Sequence, residues 1–289
     1  MRTCALTFVL TAGLLAQAPF RVTVTGQGKP MILIPGLSSS GETWDTTVAY
    51  YRSRYECHVL TVAGFAGVPR VEAPILDKVR DGIAEYVRAK ALGHPVIVGH
   101  SLGGFVALAV AARFPALPSK LVVLDAYPFL AGVISAGADG AKATQMADEI
   151  RRYMQAESQE DYERHIKSGA SARAMVTSDK DFERIKTWEL DSDRTAVTDA
   201  MAEMYAADLR DELEKIRCPT LVLATWIGFK QYIDHDRTEA NLKRQYAKLA
   251  GVQIEITDSA RHFIMLDEPR WLFASMDRFL SEVTARQIQ

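Results

Sequence analysis

Val96-Ile97-Val98-Gly99-His100-Ser101-Leu102-Gly103-Gly104 decides how the rest of the chain is read. Val96 to Val98 are apolar and β-branched, which suits a strand covered on both faces. Phe105 to Phe114 is Ala-rich and apolar, which suits a buried helix stopped at Pro115. The turn between them reads Gly-x-Ser-x-Gly. So tight a turn drives the serine backbone into a sparsely populated conformation and lifts its hydroxyl above the sheet. Side chains two residues before and two after the serine would crowd the turn, so Gly99 and Gly103 leave room. The helix that starts behind Ser101 aims free N–H groups and a partial positive charge at the same spot, which favours a developing oxyanion. The five-residue pattern occurs by chance. A strand before it, a helix after it and Pro115 at the helix end make it specific.

On these residues the chain resembles the α/β-hydrolase family, from about Phe20 to the C-terminus, with the middle third matched by position alone. The resemblance implies an α/β fold: a mostly parallel central sheet flanked by helices, with a helical cap inserted after the sixth strand. It divides the chain into a core of residues 19–125 and 218–289 and a cap of residues 126–217.

The composition fits that size of fold. A chain of 289 residues that is 48% hydrophobic can bury a full core. The formal net charge is −2, with both signs mixed and no basic block, so nucleic acid is not an expected partner. Arg2, the apolar run Ala5 to Leu15 and the small-x-small Ala16-Gln17-Ala18 read as a signal peptide, residues 1–18. Pro19, just beyond the cut, counts against cleavage there. The run is too short to span a bilayer, so stable membrane insertion is not expected. The mature protein is expected to be exported, periplasmic or secreted. Export permits disulfides. Cys57 and Cys218, however, each open a predicted strand, and those strands stand four places apart in the family's sheet. At about 4.8 Å per strand that is roughly 19 Å, too far for a disulfide, so buried free thiols are expected.

In chain order, Arg21 to Thr25 alternates like an edge strand, and Met31 to Ile34 is a short apolar strand ending at Pro35-Gly36. The resemblance implies that Leu37, after that glycine, supplies one backbone N–H to an oxyanion hole, and Leu102 the other. His58 to Val62 reads as a strand followed by the glycine-rich turn Ala63–Gly67. Ile75 to Leu92 has helical apolar spacing, with Gly93 as its stop. Leu121 to Leu124 is a core strand that ends on the carboxylate of Asp125. Residues 126–217 have little strand character and read as helices, with breaks near Gly137–Gly140 and Ser168–Ser171. Met146, Tyr153, Met154, Met175, Trp188, Met201, Met204 and Tyr205 are available to line a pocket. The expectation for most of them is packing within the cap and onto the sheet. Leu221 to Leu223 and Val252 to Ile256 are the last strands, and Trp271 to Val283 the closing helix.

A serine hydroxyl needs a base to attack a carbonyl near neutral pH. Of six histidines, His262 falls between the last strand and the closing helix, where the family carries its catalytic histidine. His100 adjoins Ser101 but is directed away by the elbow. His58, His94, His165 and His235 lie at strand starts, in the cap or in a loop. Most relatives place the acid shortly after the strand Leu221 to Leu223, and this chain has none there. The expected acid is Asp125, where some relatives carry it, with Asp234 or Asp236 as alternatives that also suit helix capping. Ser101, His262 and Asp125 would then perform acyl transfer.

No metal-like spacing appears, so no cofactor is expected. The leading expectation is hydrolysis of a carboxylic ester or lactone of a small molecule. An amidase or aminopeptidase would use the same residues, with Glu157, Glu160 or Glu163 to receive a substrate amine. A non-catalytic binding protein of the same fold is favoured only by the missing carboxylate after Thr225. The sequence leaves the oligomeric state open.

Overall fold

Short apolar runs pair into one seven-stranded sheet among the described residues, which are 18–135 and 137–282 of the computed structural model. The strands are β1 (Phe20–Gly26), β2 (Lys29–Ile34), β3 (Tyr55–Val62), β4 (Val96–His100), β5 (Lys120–Leu124), β6 (Thr220–Thr225) and β7 (Gln253–Thr257). They lie in the order β1-β3-β2-β4-β5-β6-β7. Only β1 is antiparallel to its neighbour, and it is the edge strand whose residues alternate. Every residue of β4, β5 and β6 is buried, as parallel strands covered on both faces require. The expected leader, residues 1–18, lies outside the described residues except for Ala18.

The helices are α1 (Asp45–Tyr51), α2 (Ile75–Ala89), α3 (Leu102–Arg113), α4 (Ala131–Ile134), α5 (Gly140–Ala156), α6 (Gln159–Ser168), α7 (Ala170–Met175), α8 (Asp179–Leu190), α9 (Arg194–Ala206), α10 (His235–Gln245), α11 (Ile264–Asp267) and α12 (Pro269–Ser281). Strand periodicity sorts the core into two layers. Ile32, Ile34, Ile97, Leu121 and Val123 pack beneath α2, α3 and α10. Met31, Leu33, Val96, Val98 and Val122 pack beneath α1 and α12 on the other face. Cys57 lies on β3 and Cys218 two residues before β6, four places across the sheet, and both are free thiols. No described helix is long and apolar enough to cross a membrane.

Between β5 and β6 the chain forms α4 to α9 and no strand among the described residues. This insertion follows the fifth of the seven strands, where the resemblance implied the sixth. Its helices break where the glycines predicted: α5 starts at Gly140, and Gly169 turns between α6 and α7 with φ +66°. Backbone contacts on two sides help to hold the insertion over the rim of the sheet. The α8–α9 junction docks on the turn after β3, with Asp193 N–H donating to Gly64 O at 2.7 Å and Gly67 N–H to Asp191 O at 2.9 Å. A Cβ on Gly64 would sit 2.2 Å from Ala196 Cβ, so the glycine there permits that approach. At the other side, Phe263 N–H donates to Met175 O at 3.0 Å, tying the end of α7 to the loop that carries His262.

Candidate active site

The parallel ends of β2, β4, β5 and β6 open on one rim of the sheet. β4 runs directly into α3, and Ser101 makes the corner with φ 53° and ψ −120°. A non-glycine residue there costs on the order of 1–3 kcal/mol and persists only when its surroundings hold it. They do: Ser101 N–H donates to Leu124 O at 2.9 Å, and Ser101 O accepts from Phe105 N–H at 3.0 Å. A Cβ on Gly99 would lie 2.2 Å from Gly103 O, and one on Gly103 2.3 Å from Ile34 O. Both glycines are therefore demanded by backbone contact, as the motif predicted.

The loop after β2 passes beside this corner. A Cβ on Gly36 would sit 3.2 Å from Ser101 Cβ, so the loop passes the serine immediately before Leu37. Ser38 turns the loop with φ 54°, and Ser39 Oγ donates to Leu37 O at 3.1 Å. Neither Leu37 N–H nor Leu102 N–H donates to any described residue, which leaves both free for an outside acceptor.

Asp125 follows β5 with φ 43°, a turn that swings its carboxylate over the rim. Its N–H donates to Leu223 O at 2.7 Å, Oδ1 accepts from Thr225 N–H at 3.3 Å, and Oδ2 lies 2.6 Å from His262 Nδ1. The two side chains are 9% and 17% exposed, and a charge-assisted contact gains strength in so dry a setting. A proton on Nδ1 leaves Nε2 as the acceptor. The Ser101 hydroxyl makes no hydrogen bond to a described residue, Nε2 included. Ser101, Asp125 and His262 face one cavity of about 490 Å³.

Asp234 and Asp236 are not brought to the imidazole. Asp234 caps α10 by accepting from Arg237 N–H at 2.8 Å, and Asp236 is 98% exposed beside His235. The remaining histidines serve elsewhere. His58 lies against Glu56 and Tyr86, His94 against Ala116 O, His165 on α6, and His235 at the start of α10.

Two participants were not foreseen. Thr225, where most relatives' acid is sought, orients Asp125 through its N–H and donates its hydroxyl to Ala260 O. His100 is fully buried, and its Nε2 lies 3.0 Å from His262 O, so it pins the loop that carries His262. Burial, then the nearby His262, push the His100 pKa well below its ordinary value, so it stays neutral and donates from Nε2. A carbonyl partner on a loop distant in sequence leaves no local signal for either role.

The cavity is walled by apolar and aromatic side chains. Met175, Met201, Met204 and Tyr205 line it, four of the eight residues expected mostly to pack; Met146, Tyr153 and Met154 line a neighbouring cavity, and Trp188 alone is buried elsewhere. Tyr127 also faces it; burial first, then the charge of Asp125, raise its pKa, so it presents a neutral phenol. No lysine or arginine lines the cavity, and Glu157, Glu160 and Glu163 do not reach it. Glu160 pairs with Arg164 and Glu163 with Lys167 on the outside of α6.

A model described as the alpha/beta hydrolase family matches residues 31–275. Among curated relatives, the (E)-2-((N-methylformamido)methylene)succinate hydrolase of Acinetobacter baylyi is 25% identical over 260 residues, 88% of this chain and 91% of that protein. A pimeloyl-[acyl-carrier protein] methyl ester esterase of Vibrio cholerae is 27% identical over 201 residues, 69% of this chain and 76% of that protein. Among solved structures, an esterase from Exiguobacterium antarcticum superposes with a TM-score of 0.74 at 17% identity, covering 91% of this chain and 96% of that one.

Proposed function

This chain belongs to the alpha/beta hydrolase family, and from that premise we propose that it is a serine hydrolase that cleaves an ester or lactone of a small, uncharged, largely apolar molecule. The observation that carries the reading is the 2.6 Å contact of Asp125 with His262 in the cavity that Ser101 also faces. His262 Nε2 takes the Ser101 proton as Oγ bonds to the carbonyl carbon. The oxyanion rests on the N–H groups of Leu37 and Leu102. It collapses by breaking the bond to the leaving oxygen, which receives the proton from His262. Water, deprotonated by His262, then attacks the acyl-enzyme, and its collapse frees the acid and returns the proton to Ser101. Asp125 keeps the proton on Nδ1 and steadies the charged ring. Residues 126–217 act as the cap that shapes the pocket, and Met175, at the end of α7, couples it to the loop that carries His262.

The wall chemistry narrows the substrate. The Acinetobacter relative is named for a succinate. A dicarboxylate would enter this cavity with no lysine or arginine to meet it, at a cost of several kcal/mol for each unpaired buried charge. Glu160 and Glu163 line neither cavity and Glu157 lines only the adjoining one, so none of the three stands beside Ser101 to receive the amine of a peptidase substrate. Asp125 supplies the carboxylate whose absence after Thr225 had favoured a non-catalytic protein.

Turnover of 4-nitrophenyl butanoate, the matching anilide and 4-nitrophenyl hydrogen succinate tests the proposal. The expected order is ester, then anilide, then succinate. Turnover of the succinate first, or of no ester, rejects it. Export is part of the same reading, supported by the leader pattern. N-terminal sequencing of protein from an exporting host should begin at or near Pro19, and a start at Met1 in the extracytoplasmic fraction counts against cleavage.

A further inference from the structure

A second cavity, of about 530 Å³, adjoins the one at Ser101 and shares Ile134, Met201 and Tyr205 with it. Its remaining wall comes largely from α5 and α6, with Met146, Ile150 and Met154 as the apolar part. Exposed apolar side chains cluster here. Of the seven large ones among the described residues, Ile134, Tyr153, Phe229 and Tyr232 line one cavity or the other, and Ile134 is 57% and Tyr153 69% exposed. Apolar surface concentrated around a cavity marks a binding place more often than a folding accident. Two carboxylates, Glu149 and Glu157, line the second cavity together with His165; Arg194 lies 4.0 Å from Glu157, and no lysine or arginine lines either cavity.

We infer that the two cavities form a single binding path, and that the substrate is an ester with an extended apolar arm. The arm runs from Ser101 past Ile134, Met201 and Tyr205 into the second cavity and ends in an uncharged group. This rests on the ester-hydrolase reading and adds to it the length and charge of the substrate. The three shared side chains form the gate. Met201 and Ile134 are flexible or partly exposed, so the wall yields to an alkyl chain without moving the sheet. An arm on the acyl side and one on the alcohol side would use the same path.

The test uses the full chain, with Ile150→Trp and Met146→Trp filling the second cavity alone; circular dichroism and the thermal midpoint report folding. One substrate series lengthens the acyl group of 4-nitrophenyl esters from butanoate to dodecanoate. The other lengthens the alcohol of alkyl acetates, followed by pH-stat. In wild type, kcat/KM should rise about three- to fourfold per methylene in the series that uses the path, and a terminal carboxylate should cancel at least tenfold of the gain. Either folded variant should lower the long-to-short ratio at least tenfold, through KM. The path is overturned if both variants keep the wild-type ratio in both series, or if wild type ignores chain length. Calorimetric titration of decan-1-ol into Ser101→Ala protein reads the path without turnover. Binding weakened at least tenfold by Ile150→Trp, in a protein that hydrolyses no ester, rejects the hydrolase reading and keeps the path. Hydrolysis with no effect of the variants on rate ratio or binding rejects the path and keeps the hydrolase.

Discussion

At the end of β5 the chain turns through Asp125, whose carboxylate reaches His262 at 2.6 Å. At the end of β6, the neighbouring strand, it leaves through Thr225, which carries no charge and gives Asp125 an N–H at 3.3 Å and Ala260 O a hydroxyl. The strands pair in register, Leu124 opposite Leu223, so the two ends are adjacent stations on one rim. One station carries a carboxylate and the other helps to hold that carboxylate in place. What matters for the imidazole is a carboxylate at a reachable point with its lone pairs directed, not the strand that delivers it. The positive φ of Asp125 supplies the reach, and Thr225 supplies direction.

The sharpest way to break that contrast is Asp125→Asn. It keeps size and turn but offers the ring an amide, and ester turnover should fall about 10³- to 10⁴-fold. A loss under tenfold would move the acid elsewhere. If the two stations are equivalent, Thr225→Asp placed on the Asp125→Asn background should recover tenfold or more of that loss, measured on the same ester. Thr225→Val keeps the N–H and removes the hydroxyl bond to Ala260 O. It should cost about 1 kcal/mol of stability by denaturant unfolding, with a few-fold fall in kcat. The smallest effect belongs to the candidate left outside the site: Asp234→Ala should cost about 1 kcal/mol through the lost cap of α10 and leave turnover as in wild type.

These stations also mark where the sequence was informative. The elbow was legible in part because one of its glycines answers to a backbone contact only a few residues away. Gly99 must clear Gly103 O, and no choice of tertiary partner relaxes that. His262 was legible from its place between the last strand and the closing helix. Asp125 could be named but not separated from Asp234 and Asp236, because a loop aspartate before a helix satisfies capping and catalysis alike. Only the geometry gives Asp234 to α10 and Asp125 to the ring. Thr225 acts through a backbone donor and His100 through a carbonyl 162 residues away, so neither left a pattern to read. The insertion was legible as helical and illegible as a pocket. An amphipathic helix declares that one face is buried and not against what. Met175, Met201 and Met204 therefore looked no different from Met146 and Met154, although the first three face Ser101 and the other two the adjoining cavity.

Treating the folded protein with a fluorophosphonate and locating the adduct by mass spectrometry bears most directly on whether Ser101 is an activated nucleophile. One adduct per chain, on Ser101, formed rapidly in wild type and at least a hundredfold more slowly in Asp125→Asn, is the predicted result. Folded wild-type protein that stays unlabelled, or that carries the adduct on another residue, contradicts it.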